Sequence, residues 1–150
     1  MNLDILTNLS AAQVIGNTTA NSTNAYDAAD SQGLLTGIGE SCEVVITVAA
    51  ATMNSSTCLV TLYADDDNNG TNKTTIGTVT MPSATIAGDK FVIDIPANDD
   101  ANSGQMTLTN RYYYLTIVNS GTSVTINAWI QPSSMVQNNN VYPKSGYTVK

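Results

Sequence analysis

The chain has 150 residues, of which 42% are hydrophobic and only 11% are charged, a balance that excludes a disordered acidic polymer and a membrane protein. Its net charge of -7 repels phosphate, so nucleic acids and anionic membranes are not expected as partners. The absence of His removes the usual base for a Ser or Cys nucleophile.

Short segments of alternating apolar and polar residues recur along the chain and predict β-strands. Three weaker segments come first, at residues 13–15, 25–27 and 34–38, and the pattern at residues 3–14 is too interrupted to predict a helix. The clearest segments follow at residues 43–49, 58–64, 75–81, 91–95, 112–118 and 124–130. Most have one apolar face, which is typical of antiparallel sheets, whereas residues 112–118 are apolar on both faces. That segment is expected to be central, or to meet a partner on its outer face.

Turn signals separate these segments. Asn69-Gly70 predicts a hairpin turn, residues 87–89 and 119–121 predict two further turns, and Pro96 ends a strand. The long polar stretch 97–110 is typical of a crossing between the two sheets of a jelly roll. With roughly eight strands, the chain is predicted to be an all-β, antiparallel jelly-roll β-sandwich.

The predicted domain covers residues 1–131, including an N-terminal arm. Residues 132–150 form a polar C-terminal extension with spaced apolar residues. Its composition fits two interpretations equally well, a segment that docks on a neighbouring subunit and an unanchored tail. The first residues lack a secretion signal, which predicts the cytoplasm of the producing cell.

A calcium site is the one metal site that the sequence suggests. Asp65, Asp67, Asn69 and Gly70 match positions one, three, five and six of an EF-hand loop. Position twelve falls on Ile76, which cannot supply the required carboxylate. A polar hairpin tip is the favoured interpretation, and weak calcium binding stays open.

Catalytic groups cannot be assembled from the chain. Asp99 and Asp100 are neighbours in a loop and lack the opposed geometry of glycosidase carboxylates. Ser41 does not lie in a nucleophile elbow or a phosphate-binding loop. We therefore predict no catalytic residue, no cofactor and no metal ligand, and do not expect an enzyme.

Aromatic residues and cysteines have structural and functional interpretations. Tyr112, Tyr113, Tyr114 and Trp129 fit a carbohydrate-stacking platform or a protein hot spot, but core packing is the favoured role.

Cys42 and Cys58 flank two strands expected to meet as a hairpin centred near Met53. That register places Cys42 opposite Ala64, so two buried or semi-buried thiols without a disulfide are predicted.

Several short motifs, spread over residues 3–130, share their order and spacing with a known family. They are Leu3-Asp4, Leu9-Ser10-Ala11-Ala12-Gln13, Ser22-Thr23-Asn24 leading to Asp27, Gly37-Ile38-Gly39-Glu40 before Val44-Val45-Ile46, Val60-Thr61-Leu62-Tyr63-Ala64-Asp65-Asp66, Tyr112-Tyr113-Tyr114-Leu115 and Val124-Thr125-Ile126. In these residues the chain resembles the jelly-roll capsid cement proteins of tailed bacteriophages, of the Bordetella-phage type.

The resemblance implies a decoration protein that binds the outer surface of an icosahedral capsid and bridges major capsid protein subunits. It also implies a homodimer or homotrimer, located on the virion and made in the cytoplasm of the host bacterium. The alternative function is a carbohydrate-binding β-sandwich or a fibre-tip module of a virion. Neither function requires a catalytic group.

Overall fold

The structure is a computed structural model that describes residues 7–28, 42–65, 70–95 and 111–132. These residues form nine strands and no α-helix. The strands are β1 (Asn8–Gly16), β2 (Thr19–Asn21), β3 (Tyr26–Asp27), β4 (Cys42–Thr52), β5 (Cys58–Asp65), β6 (Thr74–Met81), β7 (Lys90–Ile95), β8 (Tyr112–Asn119) and β9 (Ser123–Pro132). Within the described part of the chain, no helix could span a membrane.

The strands form two antiparallel sheets. The first sheet has the order β1-β9-β4-β7, and the second has the order β2-β8-β5-β6, with β3 also paired to β8. Strand β1 pairs with β9, β2 and β3 both pair with β8, β4 pairs with β7, and β5 pairs with β6. The pairs are therefore nested, from the two ends of the chain towards its middle. This nested pairing is that of a hairpin rolled into a barrel-like sandwich, so the predicted all-β jelly roll is confirmed.

The six strongest predicted segments all lie in strands, from β4 to β9. Residues 13–15 belong to β1 at the edge of the first sheet, residues 26–27 form β3, and residues 34–38 lie outside the described residues. Strand β8 lies between β5 and the β2–β3 side, as expected for a central strand. The chain leaves the first sheet after β7 and enters the second at β8, so the predicted crossing between sheets is confirmed.

The predicted hairpin centred near Met53 is wrong. Strand β4 pairs with β7 and β9, whereas β5 pairs with β6 and β8, so the link through Met53 passes from one sheet to the other. The physical reason is burial. Both strands have strongly apolar faces, and the sandwich buries both by turning them towards each other from opposite sheets. Cys42 and Cys58 are both buried and are not joined by a disulfide.

The core lies between the two sheets and is built from the inward residues of every long strand. Its largest fully buried side chains are Tyr113, Leu9, Ile15, Ile46, Leu62, Met81, Ile95, Leu115, Ile117 and Ile126. The sheets approach closely where Gly77 of β6 faces Ile93 of β7, since a Cβ at Gly77 would lie 2.7 Å from Ile93 Cγ2. A residue with a Cβ at position 77 therefore fits only if the Ile93 side chain moves.

One buried polar side chain joins three parts of the fold. Asn119, at the end of β8, is 2% exposed, and its Nδ2 donates to the backbone oxygens of Ile15 and Gly16, both at 3.0 Å. Its Oδ1 accepts from the N–H of Gly121 at 2.9 Å. These three bonds attach the β8–β9 turn to β1, so the predicted turn at residues 119–121 also closes one end of the sandwich.

Candidate functional site

The outward face of the second sheet carries almost no charge. Period-two alternation turns apolar residues of β5, β6 and β8 inward and leaves the others outward. We call ten of these outward residues the threonine–tyrosine face: Thr19, Asn21, Leu59, Thr61, Tyr63, Thr78, Thr80, Tyr114, Thr116 and Val118. The outward pair Asp65 and Tyr112, next along the strands, lies outside this face. None of the ten residues of the face is charged, although the chain carries a net charge of -7.

Two neighbouring aliphatic side chains are exposed at one end of the threonine–tyrosine face. Leu59 and Val118 are directly paired across β5 and β8, and they are 41% and 43% exposed. Exposed apolar groups in contact with each other are candidates for burial against a partner.

A pair of tyrosines lies at the other end. Tyr63 and Tyr114 are paired across the same two strands, and their ring centroids are 5.9 Å apart. Lys73 Nζ lies 4.6 Å from the centre of the Tyr63 ring, within the range of a cation–π contact. The two rings thus form an aromatic end of the face, at which Tyr63 is partly exposed and Tyr114 is only 8% exposed.

Charges appear just beyond the tyrosines. Arg111 forms a two-bonded ion pair with Asp27, with Nε to Oδ1 at 2.7 Å and the terminal nitrogen to Oδ2 at 2.8 Å. The hydrogen bond to Asp27 raises the pKa of Arg111, whose guanidinium also lies 4.9 Å from the centre of the Tyr112 ring. Because Asp27 is in β3 and Arg111 precedes β8, the ion pair joins the short strand β3 to the sheet.

A polar pocket of about 210 Å³ opens beside the tyrosine pair. It is lined by residues 21–25, which connect β2 to β3, together with Gly70 and Tyr114. None of the described residues that line it is charged. The lining therefore offers amide, hydroxyl and backbone groups beside one aromatic ring.

The outward face of the first sheet differs in chemistry. Trp129 of β9 is half-buried beside Val45 of β4, and its Nε1 donates to Gln131 Oε1 at 2.8 Å. Glu43 of β4 is 8% exposed, and burial followed by the charge of Asp94 raises the pKa of its carboxyl, while Lys90 opposes the shift. This face therefore carries both charge and aromatic surface.

The expected single aromatic platform is not formed. Tyr112 and Tyr114 point outward from the second sheet, Tyr113 points into the core, and Trp129 lies on the opposite side of the sandwich. Strand alternation explains the division, because consecutive residues face opposite ways and β8 and β9 belong to different sheets. The favoured interpretation, core packing, is correct for Tyr113, and Tyr114 is also buried, at 8% exposed, on the outward side of the sheet.

The other candidate residues have no shared site among the described residues. Asp65 is fully buried at the end of β5, Ile76 lies in β6, and Asp67, Asn69, Ser41, Asp99 and Asp100 lie outside the described residues. No group of three His, Cys, Asp or Glu side chains within the described ranges could hold a metal ion. Burial raises the pKa of Tyr113 to about 12 and that of Cys58 to about 11, so neither side chain is ionised at neutral pH.

Sequence reasoning missed Tyr63, Lys73 and the pocket segment 21–25. Tyr63 carries a detectable signal. The outward positions of β5 are Leu59, Thr61 and Tyr63, and polar residues are expected there, whereas Leu59 and Tyr63 are bulky and apolar or aromatic. The pocket segment carries none, because its role depends on pairing with β8, far away in sequence.

No protein-family model matches this chain, and no curated protein matches it either. Among solved structures, it is similar to the K1 cleaved adhesin domain of Lys-gingipain from Porphyromonas gingivalis W83, with 13% identity and a TM-score of 0.42 over 84% of this chain and 94% of that one. It is also similar to the N-terminal xylanase 10B of Clostridium thermocellum, comprising CBM22-1 and GH10 modules and complexed with xylohexaose, with 11% identity and a TM-score of 0.41. That match covers 86% of this chain and 27% of the xylanase chain. At these identities and scores, neither similarity indicates what this chain binds.

Proposed function

We propose that this protein is a capsid cement protein of a tailed bacteriophage. It binds the outer surface of the icosahedral shell, bridges major capsid protein subunits and stabilises the shell without catalysis. It is made in the cytoplasm of the host bacterium and carried on the virion. The motif resemblance supports this role, and so does the jelly-roll strand order.

The threonine–tyrosine face is the observation that carries the proposal. Interface cores are depleted of charged residues and enriched in Tyr, and this face has no charged residue and carries the partly exposed Tyr63. Its two exposed aliphatic side chains, Leu59 and Val118, would lie at the part of the contact that excludes water.

The size of the face determines how the protein must bind. Strands β5, β6 and β8 have 8 residues each and are ~27 Å long, whereas β2 has 3 residues and is ~10 Å long, so at ~4.8 Å per strand the flat area is roughly 440 Å². A standard stable interface buries about 800 Å² per partner. A single copy would therefore bind weakly through this face alone, and a homodimer or homotrimer that engages several subunits at once gains the missing affinity by avidity.

The experiment is reconstitution on expanded capsids that lack the protein. Purified protein should co-sediment with these capsids at saturable stoichiometry and should raise the temperature at which they release their DNA. If the protein does not bind expanded capsids, and capsids without it keep their full resistance to heat, the proposal is wrong. Unexpanded capsids are the matched control, since they present the same subunits in a different arrangement.

A second function, binding of carbohydrate by a virion β-sandwich or fibre-tip module, is favoured by a different observation. The partly exposed ring of Tyr63 and the adjacent uncharged polar pocket supply the two kinds of contact that sugars need, an apolar ring surface and hydrogen-bonding groups. Binding of the protein to immobilised glycans tests this function. Silence across the glycans, together with normal capsid binding, would leave the cement role alone.

A further inference from the structure

We infer that the pocket formed by residues 21–25, Gly70 and Tyr114 binds a single neutral sugar ring. The inference rests on the second proposed function, carbohydrate binding, and assigns it a position and a ligand class. The size of the pocket sets the scale of the ligand. About 210 Å³ is below the range of about 300–1,000 Å³ typical of drug-sized ligands, so one ring fits and a longer chain must extend outside.

The chemistry of the lining selects an uncharged, hydroxyl-rich ligand. Asn21, Ser22, Thr23 and Asn24 supply amide, hydroxyl and backbone groups, and Tyr114, which is 8% exposed, completes the lining. No cationic side chain among the described lining residues would balance a carboxylate or phosphate. The net charge of -7 further disfavours anionic ligands, so acidic sugars should be excluded.

The segment is already fixed in position by bonds to β8. The N–H of Ser22 donates to Leu115 O at 2.8 Å, and Ser22 Oγ accepts from the N–H of Leu115 at 3.0 Å. Thr116 Oγ1 donates to Asn21 Oδ1 at 2.9 Å. One side of the pocket therefore extends the hydrogen bonding of the sheet.

A second set of bonds ties the segment to β1. The N–H of Asn24 donates to Leu9 O at 2.9 Å, and Asn24 Nδ2 donates to Asn8 O at 3.1 Å. Gln13 Nε2 donates to Asn21 O at 2.7 Å. Because both ends are fixed before any ligand arrives, little ordering cost accompanies binding.

Thr23 is the residue that tests the pocket. It is exposed at the middle of the segment, between the bonded residues Ser22 and Asn24, so its hydroxyl can be removed without breaking those bonds. Thr57 is the matched control, since it is an exposed loop threonine beside Ser120, whose N–H donates to Thr57 O at 3.1 Å. The five residue-to-residue steps along β8 from Tyr114 to Asn119 separate the two places by ~17 Å.

The experiment is a titration of the isotope-labelled full chain with methyl glycosides of glucose, galactose and mannose, followed by amide-resolved NMR. We expect saturable shifts at the amides of residues 21–25, Gly70 and Tyr114, with a Kd on the order of 1 mM for the best sugar. Thr23→Ala should weaken binding about 3–10-fold, and Thr57→Ala should leave it unchanged. Oligosaccharides ending in the same sugar should shift the same amides if a glycan terminus is the natural source, whereas binding of the methyl glycoside alone identifies a free sugar.

Three other results would contradict the inference, and they distinguish an error about the pocket from an error about carbohydrate binding. Saturable shifts centred on the indole of Trp129, with the pocket amides unmoved, would overturn the pocket and leave carbohydrate binding in place. A response to sialic acid and to none of the neutral sugars would overturn the neutral class. No response to any simple sugar or oligosaccharide would overturn both the pocket and the second proposed function, and the cement role would be untouched.

Discussion

Placing a charge at Leu59 should abolish capsid binding while leaving the fold intact. Leu59 is 41% exposed on the threonine–tyrosine face, directly across from Val118. A lysine at this position can keep its ammonium in water in the free protein. The substitution Leu59→Lys should therefore change the free energy of unfolding by only about 0.5 kcal/mol.

The loss in the bound state is larger. Complete burial of a Leu side chain contributes about 1.5–3 kcal/mol, so burying the 41% that is exposed contributes ~0.6–1.2 kcal/mol. A lysine there loses this contribution and leaves an unpaired charge in the contact, which costs several kcal/mol when burial is complete. For a partly covered position we expect a total of roughly 2–4 kcal/mol, or about 30- to 1,000-fold weaker binding at each site.

The assay is co-sedimentation of the variant with expanded capsids lacking the protein, with thermal melting of the free variant as a check on folding. Ile86→Lys is the matched control, since Ile86 is 65% exposed and is not part of the face but of the turn between β6 and β7. The control should bind like the original protein. Normal occupancy by Leu59→Lys, or an equal loss in both variants, would refute the assignment of this face to the capsid contact.

Three further predictions concern the fold. Asn119→Ala removes two buried hydrogen bonds and one part-buried one, and should lower the free energy of unfolding by ~2–4 kcal/mol in urea denaturation. Asn17→Ala, which removes one exposed bond, should cost less than about 1 kcal/mol; equal losses would contradict the role of Asn119. Gly77→Ala should destabilise the protein by ~1–3 kcal/mol because the new methyl group meets Ile93. The double variant Gly77→Ala with Ile93→Ala should lose less stability than the two single variants together. Strictly additive losses would contradict the close approach of the sheets. The pKa of Glu43 is raised above 4.5 in the folded state, so its ionisation opposes folding once the pH rises above 4.5. The melting temperature of Glu43→Gln, compared with that of the original protein, should therefore be more favourable at pH 7 than at pH 4. A less favourable difference at pH 7 would reverse the sign of this argument.

Much of the fold follows from local patterns in the sequence. The alternation in Val44, Ile46 and Val48 is enough to predict β4 and its inward face, because one buried face imposes period two on any strand. The doubly apolar strand β8 is correctly predicted to be central for the same reason. Strand order is less local. Short connections usually join neighbours in one sheet, which favours a hairpin at Met53, whereas the link there joins two sheets.

The candidate site is harder to predict, because it is made by pairing between distant segments. Tyr63 and Tyr114 are 51 positions apart in number and meet only because β5 and β8 are neighbours. The pocket segment 21–25 contains only small and polar residues that are typical of any loop. Conversely, Trp129 and Tyr114 are close in sequence, and the two-sheet arrangement places them on opposite sides. Residue types alone cannot reveal such a division without the strand order.

The most direct test of the proposed cement function is a cryo-EM reconstruction of the virion particles from the producing host. The account predicts this jelly roll as density at regular positions on the outer surface of an icosahedral shell, with the threonine–tyrosine face towards the major capsid protein. The symmetry axis at those positions would give the number of copies in each oligomer. Density for the protein on a tail fibre alone, or its absence from the particles, would contradict the cement function.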